Sequence, residues 1–393
     1  MPDFCPVSNL PAGMPENCGE LGVLICERDG TPPFAESDFI RRLMRAAPRY
    51  GLDVFAFAPW TWNADRRSVQ AWRWAQAKGG WHREERAVPS LVYDRAWPGN
   101  AEQRRRFRSS LNRMLGAHAV VRLNGRLPGK AEVFRILARD PLLAPRLPPT
   151  ALYKGKKALA DWLDLHGGAV FLKPSNGSHG RRVAAVIRSA AGEGAVTIRG
   201  RTSANAPFRL ENLSVQEAIE RLHRWIGGRV YIMQPLLSLS DADGNPFDLR
   251  VLAQRNGKGR WTLAGMAVRA GRTGNVTANL HGGGVPRHAR TFLASRFGEK
   301  ECESMLQEIR RVSAAVIKRL EEAFGRFCEL GLDFGIDRSG RIWFLEANAK
   351  PGRAAMACAG AAAAQTAIER PLAYARYILL RPSGRVIHEF DLV

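Results

Sequence analysis

Short apolar runs and amphipathic stretches alternate along residues 1–125. The apolar runs predict strands and fall at 21–26, 53–58, 90–93 and 119–123. Amphipathic stretches predict one helix over 37–47 and another over 101–115. Strands that alternate with helices are typical of a βαβ-type domain around a parallel sheet. We therefore predict a small α/β domain that ends near residue 125, where Pro- and Gly-rich sequence begins.

The rest of the chain mixes the two periodicities. Strand patterns occupy 169–200, 230–233, 249–254 and 260–269, and helical patterns occupy 131–139, 214–227 and 301–324. The helix over 214–227 begins with a capping box, in which Ser214 is the N-cap and Glu217 reaches back to it. The predicted class for the whole chain is therefore α/β, with α+β character beyond the first domain.

Two alternating runs at 332–336 and 342–348 flank a polar turn that contains Gly340, and this pattern predicts a β-hairpin. The register that sets apolar residues against apolar residues pairs Asp337 with Ile342, Ile336 with Trp343, Phe334 with Leu345 and Asp333 with Glu346. Asn348 then lies on the same face as Glu346.

Two like charges directly opposed on a sheet repel each other. Two carboxylates and an amide oxygen on one face therefore favour a hard divalent cation between them. The alternative is that Asp333, Glu346 and Asn348 are solvated at a sheet edge.

A second motif follows the apolar strand that ends at Lys173. Small and Gly-containing residues at 175–180 form a loop whose backbone N–H groups can bind phosphate oxygens, with Lys173 as a point charge. The loop lacks the Walker A pattern, and an ordinary Gly/Ser hairpin turn is the alternative.

Two further segments carry polar residues. They contain Gln234, Asp241, Asp248 and Arg250, and then Arg269 and Asn279 before a run of three glycines. Either arginine, taken alone, is equally compatible with an exposed surface position.

The order of these motifs resembles the ATP-grasp superfamily. The interval from Asp333 to Glu346 and the run 346–352 resemble D-alanine–D-alanine ligases. The stretches 92–95, 247–251, 277–284 and 342–346 are more similar to the YheC/YheD family of endospore coat-associated ATP-grasp proteins. The resemblance spans about 90–375, and it implies an ATP-grasp fold with an N-terminal pre-ATP-grasp domain at 1–125, a lid subdomain at 126–232 and a C-terminal subdomain at 233–393.

The resemblance also implies roles for individual residues. Nucleotide contacts fall on Lys130, Lys173, Ser175, Gly177, Ser178, Gly180, Met233, Gln234, Leu236 and Asp241. Among these, the segment 233–236 would lie against adenine, and Asp241 would hold the ribose. Asp333, Glu346 and Asn348 would hold two Mg²⁺ ions, or Mn²⁺ in their place, and Arg250, Arg269 and Asn279 would act on the reacting groups. Gln234 replaces the Glu that many ATP-grasp enzymes carry at this position.

The activity implied is that of an ATP-dependent carboxylate–amine ligase with an acyl-phosphate intermediate, acting on small molecules or peptides. Phosphoryl transfer relies on positioning and charge neutralisation, for which these residue types are suited. Two alternatives remain open: a coat-associated nucleotide-binding protein without ligase activity, and an ATP-grasp phosphotransferase.

The net charge of +22 raises the hypothesis of a nucleic-acid partner. However, 49 of the 59 basic residues are arginines, which a GC-rich gene produces by itself, and the excess is spread along the chain. An acidic substrate or surface is equally compatible with the charge.

Composition also bears on the compartment. The six cysteines lack zinc-site or CxxC spacing, which favours reduced thiols. No apolar run reaches the roughly 20 residues of a membrane span, and no signal peptide is recognisable. We therefore expect a cytoplasmic protein, with spore coat association implied by the family resemblance.

Overall fold

The computed structural model describes residues 18–77, 79–177, 180–189, 195–271 and 283–381. These residues form two compact units. The first unit combines 18–124 with 255–260 and 368–381, and the second combines 125–254 with 261–367. No helix in the described part of the chain is long and apolar enough to cross a bilayer.

The first unit is built on a six-stranded sheet. Its strands are β1 (Gly19–Leu24), β2 (Leu52–Phe57), β3 (Ser68–Ala75), β4 (Gly80–Ala87), β5 (Leu91–Asp94) and β6 (Val121–Arg122), in the order β4-β3-β2-β1-β5-β6. Strands β2, β1, β5 and β6 are parallel. Helices α1 (Ser37–Ala46) and α2 (Ala101–Ala117) connect them, so the predicted βαβ-type arrangement is confirmed.

Strands β3 and β4 form an antiparallel hairpin that the sequence pattern did not predict. Trp74 pairs with Trp81 across the hairpin, with ring centroids 5.3 Å apart, and Phe34 contacts Trp81 at 4.7 Å. The indole N–H groups of Trp60 and Trp72 both donate to the Glu27 carboxylate. Much of the Trp-rich segment is therefore structural, as aromatic packing and satisfied indole donors indicate.

The second unit contains two further sheets. The second sheet has the order β11-β10-β9-β8-β12-β7. Its strands are β7 (Ala151–Leu152), β8 (Ala169–Pro174), β9 (Val183–Arg188), β10 (Val196–Arg201), β11 (Pro207–Leu213) and β12 (Tyr231–Pro235). Helices α4 (Lys156–Leu165) and α5 (Val215–Ile226) pack on one face of it and bury the core around Leu172 and Val186. The predicted capping box at Ser214 and Glu217 is confirmed.

The third sheet has the order β15-β14-β13-β16-β17. Its strands are β13 (Phe247–Arg255), β14 (Trp261–Ala270), β15 (Val285–His288), β16 (Glu329–Ile336) and β17 (Ile342–Asn348). Besides α4 and α5, the second unit contains the helices α3 (Lys130–Leu137), α6 (Ala289–Phe297) and α7 (Glu299–Phe324), and the first residues of α8 (Ala361–Leu379) also belong to it. The apolar stripe of α7 packs on this sheet, and both join α3 in one core. The opposite face carries the polar side chains of Asp248, Arg250 and Asp333, and beside them Leu252 and Ala267 pack against Met356.

Candidate functional site: a charged cavity between two sheets

A row of charged residues crosses the third sheet in register. Arg250 in β13 pairs with Asp333 in β16, and Asp333 pairs with Glu346 in β17. Directly opposed residues on neighbouring strands present their side chains to the same face. The predicted Asp333–Glu346 pairing is therefore confirmed, and the sheet places Arg250 beside the two carboxylates.

The predicted register is wrong beyond this pair. A β-bulge lies between Asp333 and Phe334, so that Phe334 pairs with Phe344 rather than Leu345, and Ile336 pairs with Ile342 rather than Trp343. The extra residue lets Phe344 enter the core, where its ring lies 5.7 Å from that of Phe334. A strict alternation would have placed Phe344 on the carboxylate face.

The bulge also has a consequence for the site. Leu345 is the residue without a partner on β16, and its carbonyl oxygen accepts a hydrogen bond from the Lys173 Nζ at 3.2 Å. The hydrogen bond from Lys173 in the second sheet to this carbonyl in the third sheet therefore depends on the bulge.

Asp333 is charge-compensated, contrary to the expectation that it and Glu346 face each other as an unrelieved like-charge pair. Arg250 donates to it from Nε and from Nη2, the latter at 3.0 Å, and Arg269 Nη2 lies 3.1 Å away. Burial by itself raises the pKa of Asp333, but the two guanidinium groups outweigh it and hold that pKa below its usual range. Repulsion between Asp333 and Glu346 is therefore not a reason to expect a cation at this site.

Asp248 is a site residue to which the sequence pattern assigned no role. It is buried on β13, two residues before Arg250 and on the same face, and it accepts a hydrogen bond from Arg269 Nε at 2.5 Å. Burial raises the pKa of Asp248, although Arg269 opposes the shift. The period-2 pattern of 247–250 contained this signal, because residues two apart on a strand share a face.

Two lysines approach the same region. Lys130, the first residue of α3, donates to the Gly177 carbonyl at 2.7 Å and lies 3.6 Å from the Glu346 carboxylate. Lys173 is almost completely buried, and burial lowers its pKa to about 8, with Glu346 opposing the shift and Lys130 adding to it. Glu346 is therefore surrounded by cationic groups rather than left facing Asp333 alone.

The loop after β8 is anchored to the start of α3. The Lys130 N–H donates to the Ser175 carbonyl at 2.8 Å, and Ala131 N lies 3.5 Å from the Ser175 Oγ. A Cβ on Gly129 would stand 2.7 Å from that Oγ and 3.0 Å from Asn176 Oδ1, so a larger residue at 129 would require these side chains to shift. Gly177 and Gly180 both have positive φ, which glycine adopts at little cost.

A cavity of about 170 Å³ lies between the second and third sheets. The second sheet contributes Phe171, Lys173, Arg199 and Gln234, and the third contributes Asp248, Arg269, Asp333 and Glu346. The connection between β12 and β13 closes one side with Leu236, Leu237 and Leu239. The cavity therefore combines apolar walls with clustered charged side chains, a combination that suits a ligand with both a ring and phosphate groups.

The predicted adenine segment borders this cavity at Gln234 and Leu236. The side chain of Met233 is buried in the core on the helix side of the second sheet. Gln234 Nε2 donates to Thr150 Oγ1 at 2.8 Å. The Asp241 carboxylate accepts hydrogen bonds from the backbone of Asp243 and Asn245 in its own turn. Its role toward a ribose stays a prediction.

Two of the predicted residues, Ser178 and Asn279, lie outside the described residues. No group of three or more His, Cys, Asp or Glu side chains is arranged as a metal cluster within the part of the chain that the structure describes. The predicted donors nonetheless fit Mg²⁺, which commonly takes one or two carboxylates and completes its shell with substrate phosphates and water. Asn348 Nδ2 lies 3.5 Å from Asp333 Oδ2, so its amide group belongs to the same cluster.

A family model described as YheC/D like ATP-grasp matches residues 120–378, a range that includes all of the described second unit and almost all of α8. The chain belongs to the YheC/D-like ATP-grasp family. Both curated relatives below come from Bacillus subtilis (strain 168). The endospore coat-associated protein YheC is 27% identical over 328 residues, which cover 81% of this chain and 86% of YheC. The endospore coat-associated protein YheD is 24% identical over 326 residues, which cover 82% of this chain and 69% of YheD.

Solved structures with low sequence identity to this chain also show the ATP-grasp fold. The D-cycloserine synthetase DcsG superposes with a TM-score of 0.52 at 13% identity, covering 91% of this chain and 99% of the other. The N5-carboxyaminoimidazole synthetase of Staphylococcus aureus in complex with ADP gives 0.50 at 8% identity, covering 91% and 78%. The predicted fold of this YheC/D-like chain is thus confirmed.

Proposed function

We propose that this protein is an ATP-dependent carboxylate–amine ligase that forms an amide or peptide bond and releases ADP and phosphate. The observation that carries the proposal is the cavity where Lys173 and Arg269 meet Asp333 and Glu346 in an ATP-grasp chain. Apolar walls beside clustered charges suit a base at one end and phosphates at the other.

The reaction would proceed in two balanced steps. A substrate carboxylate oxygen bonds to the γ-phosphorus while the bond from that phosphorus to the β–γ bridging oxygen breaks, and ADP leaves. An amine nitrogen then bonds to the acyl carbon, phosphate departs, and the amine loses a proton. Neither step needs a protein nucleophile, since positioning and charge neutralisation dominate phosphoryl transfer.

In this proposal each residue has a physical task. Lys173 and Lys130 hold phosphate oxygens, and Arg269 stabilises charge on the transferred group or on the oxyanion formed as the amine adds. Arg250 keeps Asp333 ionised and oriented through its two hydrogen bonds. Asp333, Glu346 and Asn348 would hold Mg²⁺, which neutralises charge on the β- and γ-phosphates.

The direct test is to trap the intermediate. With ATP, Mg²⁺ and a panel of amino acids and short peptides, hydroxylamine should convert an acyl phosphate into a hydroxamate detectable by mass spectrometry. Carboxylate labelled with ¹⁸O should transfer one labelled oxygen to the released phosphate. A stable phosphorylated product without oxygen transfer would instead identify a phosphotransferase, and ATP binding without turnover across the panel would favour the non-ligating alternative.

Proton uptake on nucleotide binding is a second expected result. At pH 9 a lysine whose pKa is about 8 is roughly nine-tenths neutral. Phosphate oxygens beside Lys173 favour its charged form, so ADP binding should draw close to one proton from solution. Calorimetric titrations in two buffers with different ionisation enthalpies measure this uptake.

The Lys173→Arg variant is the matched control, because its guanidinium stays charged at pH 9 and the uptake should disappear. Titrations that give the same heat in both buffers for the unmodified protein would contradict the placement of Lys173 against phosphate.

We also propose that the protein associates with the spore coat, since both curated relatives carry that description. Fractionation of sporulating cells with an antibody to the chain tests this. Recovery in the vegetative cytoplasm alone would argue against it.

A further inference from the structure

An unbroken row of residues crosses the second sheet and ends at the cavity. Arg199 in β10 pairs with Ala185 in β9, Ala185 with Phe171 in β8, and Phe171 with Gln234 in β12. Side chains of directly opposed residues share a face. Arg199, Phe171 and Gln234 all line the cavity, and the small Ala185 between them leaves space for the arginine to extend over the sheet.

The Arg199 side chain lines this cavity with one of its hydrogen-bond donors unsatisfied. Its Nε atom is buried and has no hydrogen-bond partner among the described residues. Burial lowers the pKa of the guanidinium, and the neighbouring Arg209 lowers it further. A buried donor without an acceptor is costly, and such groups call for a ligand or another explanation.

The neighbouring arginine provides the contrast. Arg209 pairs with Arg199 in the same row, one strand further out, and its side chain is largely exposed. Its Nη2 donates to the Glu211 carboxylate at 2.5 Å. Of these two adjacent arginines, the exposed Arg209 has a carboxylate partner, whereas Arg199 at the cavity has an unsatisfied donor.

The position of the row decides which part of a nucleotide Arg199 would meet. Arg199 shares its row with Phe171 and Gln234, at the end where Leu236 and the other leucines close the cavity. Lys173 lies two residues further along β8, toward Ser175. Arg199 is therefore aligned with the end that suits a base rather than with the phosphate end.

We propose that Arg199 stacks its guanidinium plane on the purine of the bound nucleotide and thereby contributes to the binding of the base. The inference rests on the nucleotide site of the proposed function. A guanidinium is planar and weakly hydrated, so it stacks on aromatic rings more readily than an ammonium does.

The test compares ADP with inorganic triphosphate, which carries the charge but no base. Arg199→Met should weaken ADP binding by roughly five- to thirtyfold, the range expected for a cation–π contact. It should leave triphosphate binding unchanged. Because the substitution removes an uncompensated buried group, its melting temperature without ligand should equal or exceed that of the unmodified protein.

Two further variants complete the design. Arg209→Met, in the same row but outside the cavity, should change neither affinity. Arg199→Lys keeps the charge without the plane, so ADP affinity should stay reduced. Full recovery with Lys, or an equal loss for triphosphate, would overturn stacking in favour of a phosphate contact, and unchanged ADP affinity in Arg199→Met would overturn the inference altogether. Failure of the unmodified protein to bind ADP or triphosphate would be a different result, since it would overturn the nucleotide site itself.

Discussion

Replacing Asp333 by Asn is expected to lower the free energy of unfolding by about 3–5 kcal/mol, because it breaks a buried ion-pair cluster. Asp333 accepts hydrogen bonds from Arg250 and lies 3.1 Å from Arg269, and all three side chains are at most a tenth exposed. The neutral amide would leave Arg250 buried without its counter-charge, while Arg269 keeps Asp248. ATP-dependent turnover should be lost as well, since the variant removes a predicted Mg²⁺ ligand.

Urea denaturation measures the stability change. Asp161→Asn is the matched control, because Asp161 forms an exposed pair with Lys157 and should cost well under 1 kcal/mol. Similar stability losses in the two variants would show that the Asp333 cluster is solvated rather than buried.

The dependence of stability on pH provides a second measurement. The pKa of Asp333 is lower in the folded protein than in the unfolded chain. The contribution of Asp333 to the free energy of unfolding is therefore present above the unfolded pKa and is lost as the pH falls through the folded pKa.

Glu346→Gln should behave in the opposite way, with almost no effect on the protein alone and a large effect on its response to Mg-ATP. The Glu346 side chain is about a quarter exposed, and its ion pair with Lys130 is long at 3.6 Å, so its loss costs about 1 kcal/mol or less. The neutral amide of Gln lacks the negative charge that the Glu346 carboxylate would supply to Mg²⁺. Turnover should therefore disappear, although the fold remains.

Thermal melting with and without Mg-ATP separates these contributions. Ligand stabilisation follows RT ln(1 + [L]/Kd), which is about 2.7 kcal/mol at a hundredfold excess over Kd. The unmodified protein should gain this amount, and the variant should gain little. Asp337→Asn controls for the hairpin, because Asp337 accepts bonds from Ser339 and Trp343 in the turn. It should melt lower but keep its Mg-ATP gain. A Glu346→Gln variant that melts far below the unmodified protein yet gains as much from Mg-ATP would make Glu346 structural.

Local periodicity carried much of the information about the fold. Buried parallel strands such as β1 read as continuous apolar runs, and α5 begins at the predicted capping box. The β3–β4 hairpin escaped prediction because its tryptophans and charged residues do not alternate cleanly by polarity. Its stability comes from cross-strand ring contacts, which only the pairing reveals.

At the candidate site, the sequence alone predicted that Asp333 and Glu346 oppose each other and that Lys173 ends an apolar strand, because both follow from residue spacing along a strand. Tertiary structure decided what neutralises these groups. Arg250 and Arg269 reach Asp333 from other strands, and a bulge turns the Leu345 carbonyl to Lys173. Arg199 lines the cavity because the pairing of four strands places it in one row with Phe171 and Gln234. Charge compensation and desolvation depend on neighbours distant in sequence, and therefore only the folded chain determines them.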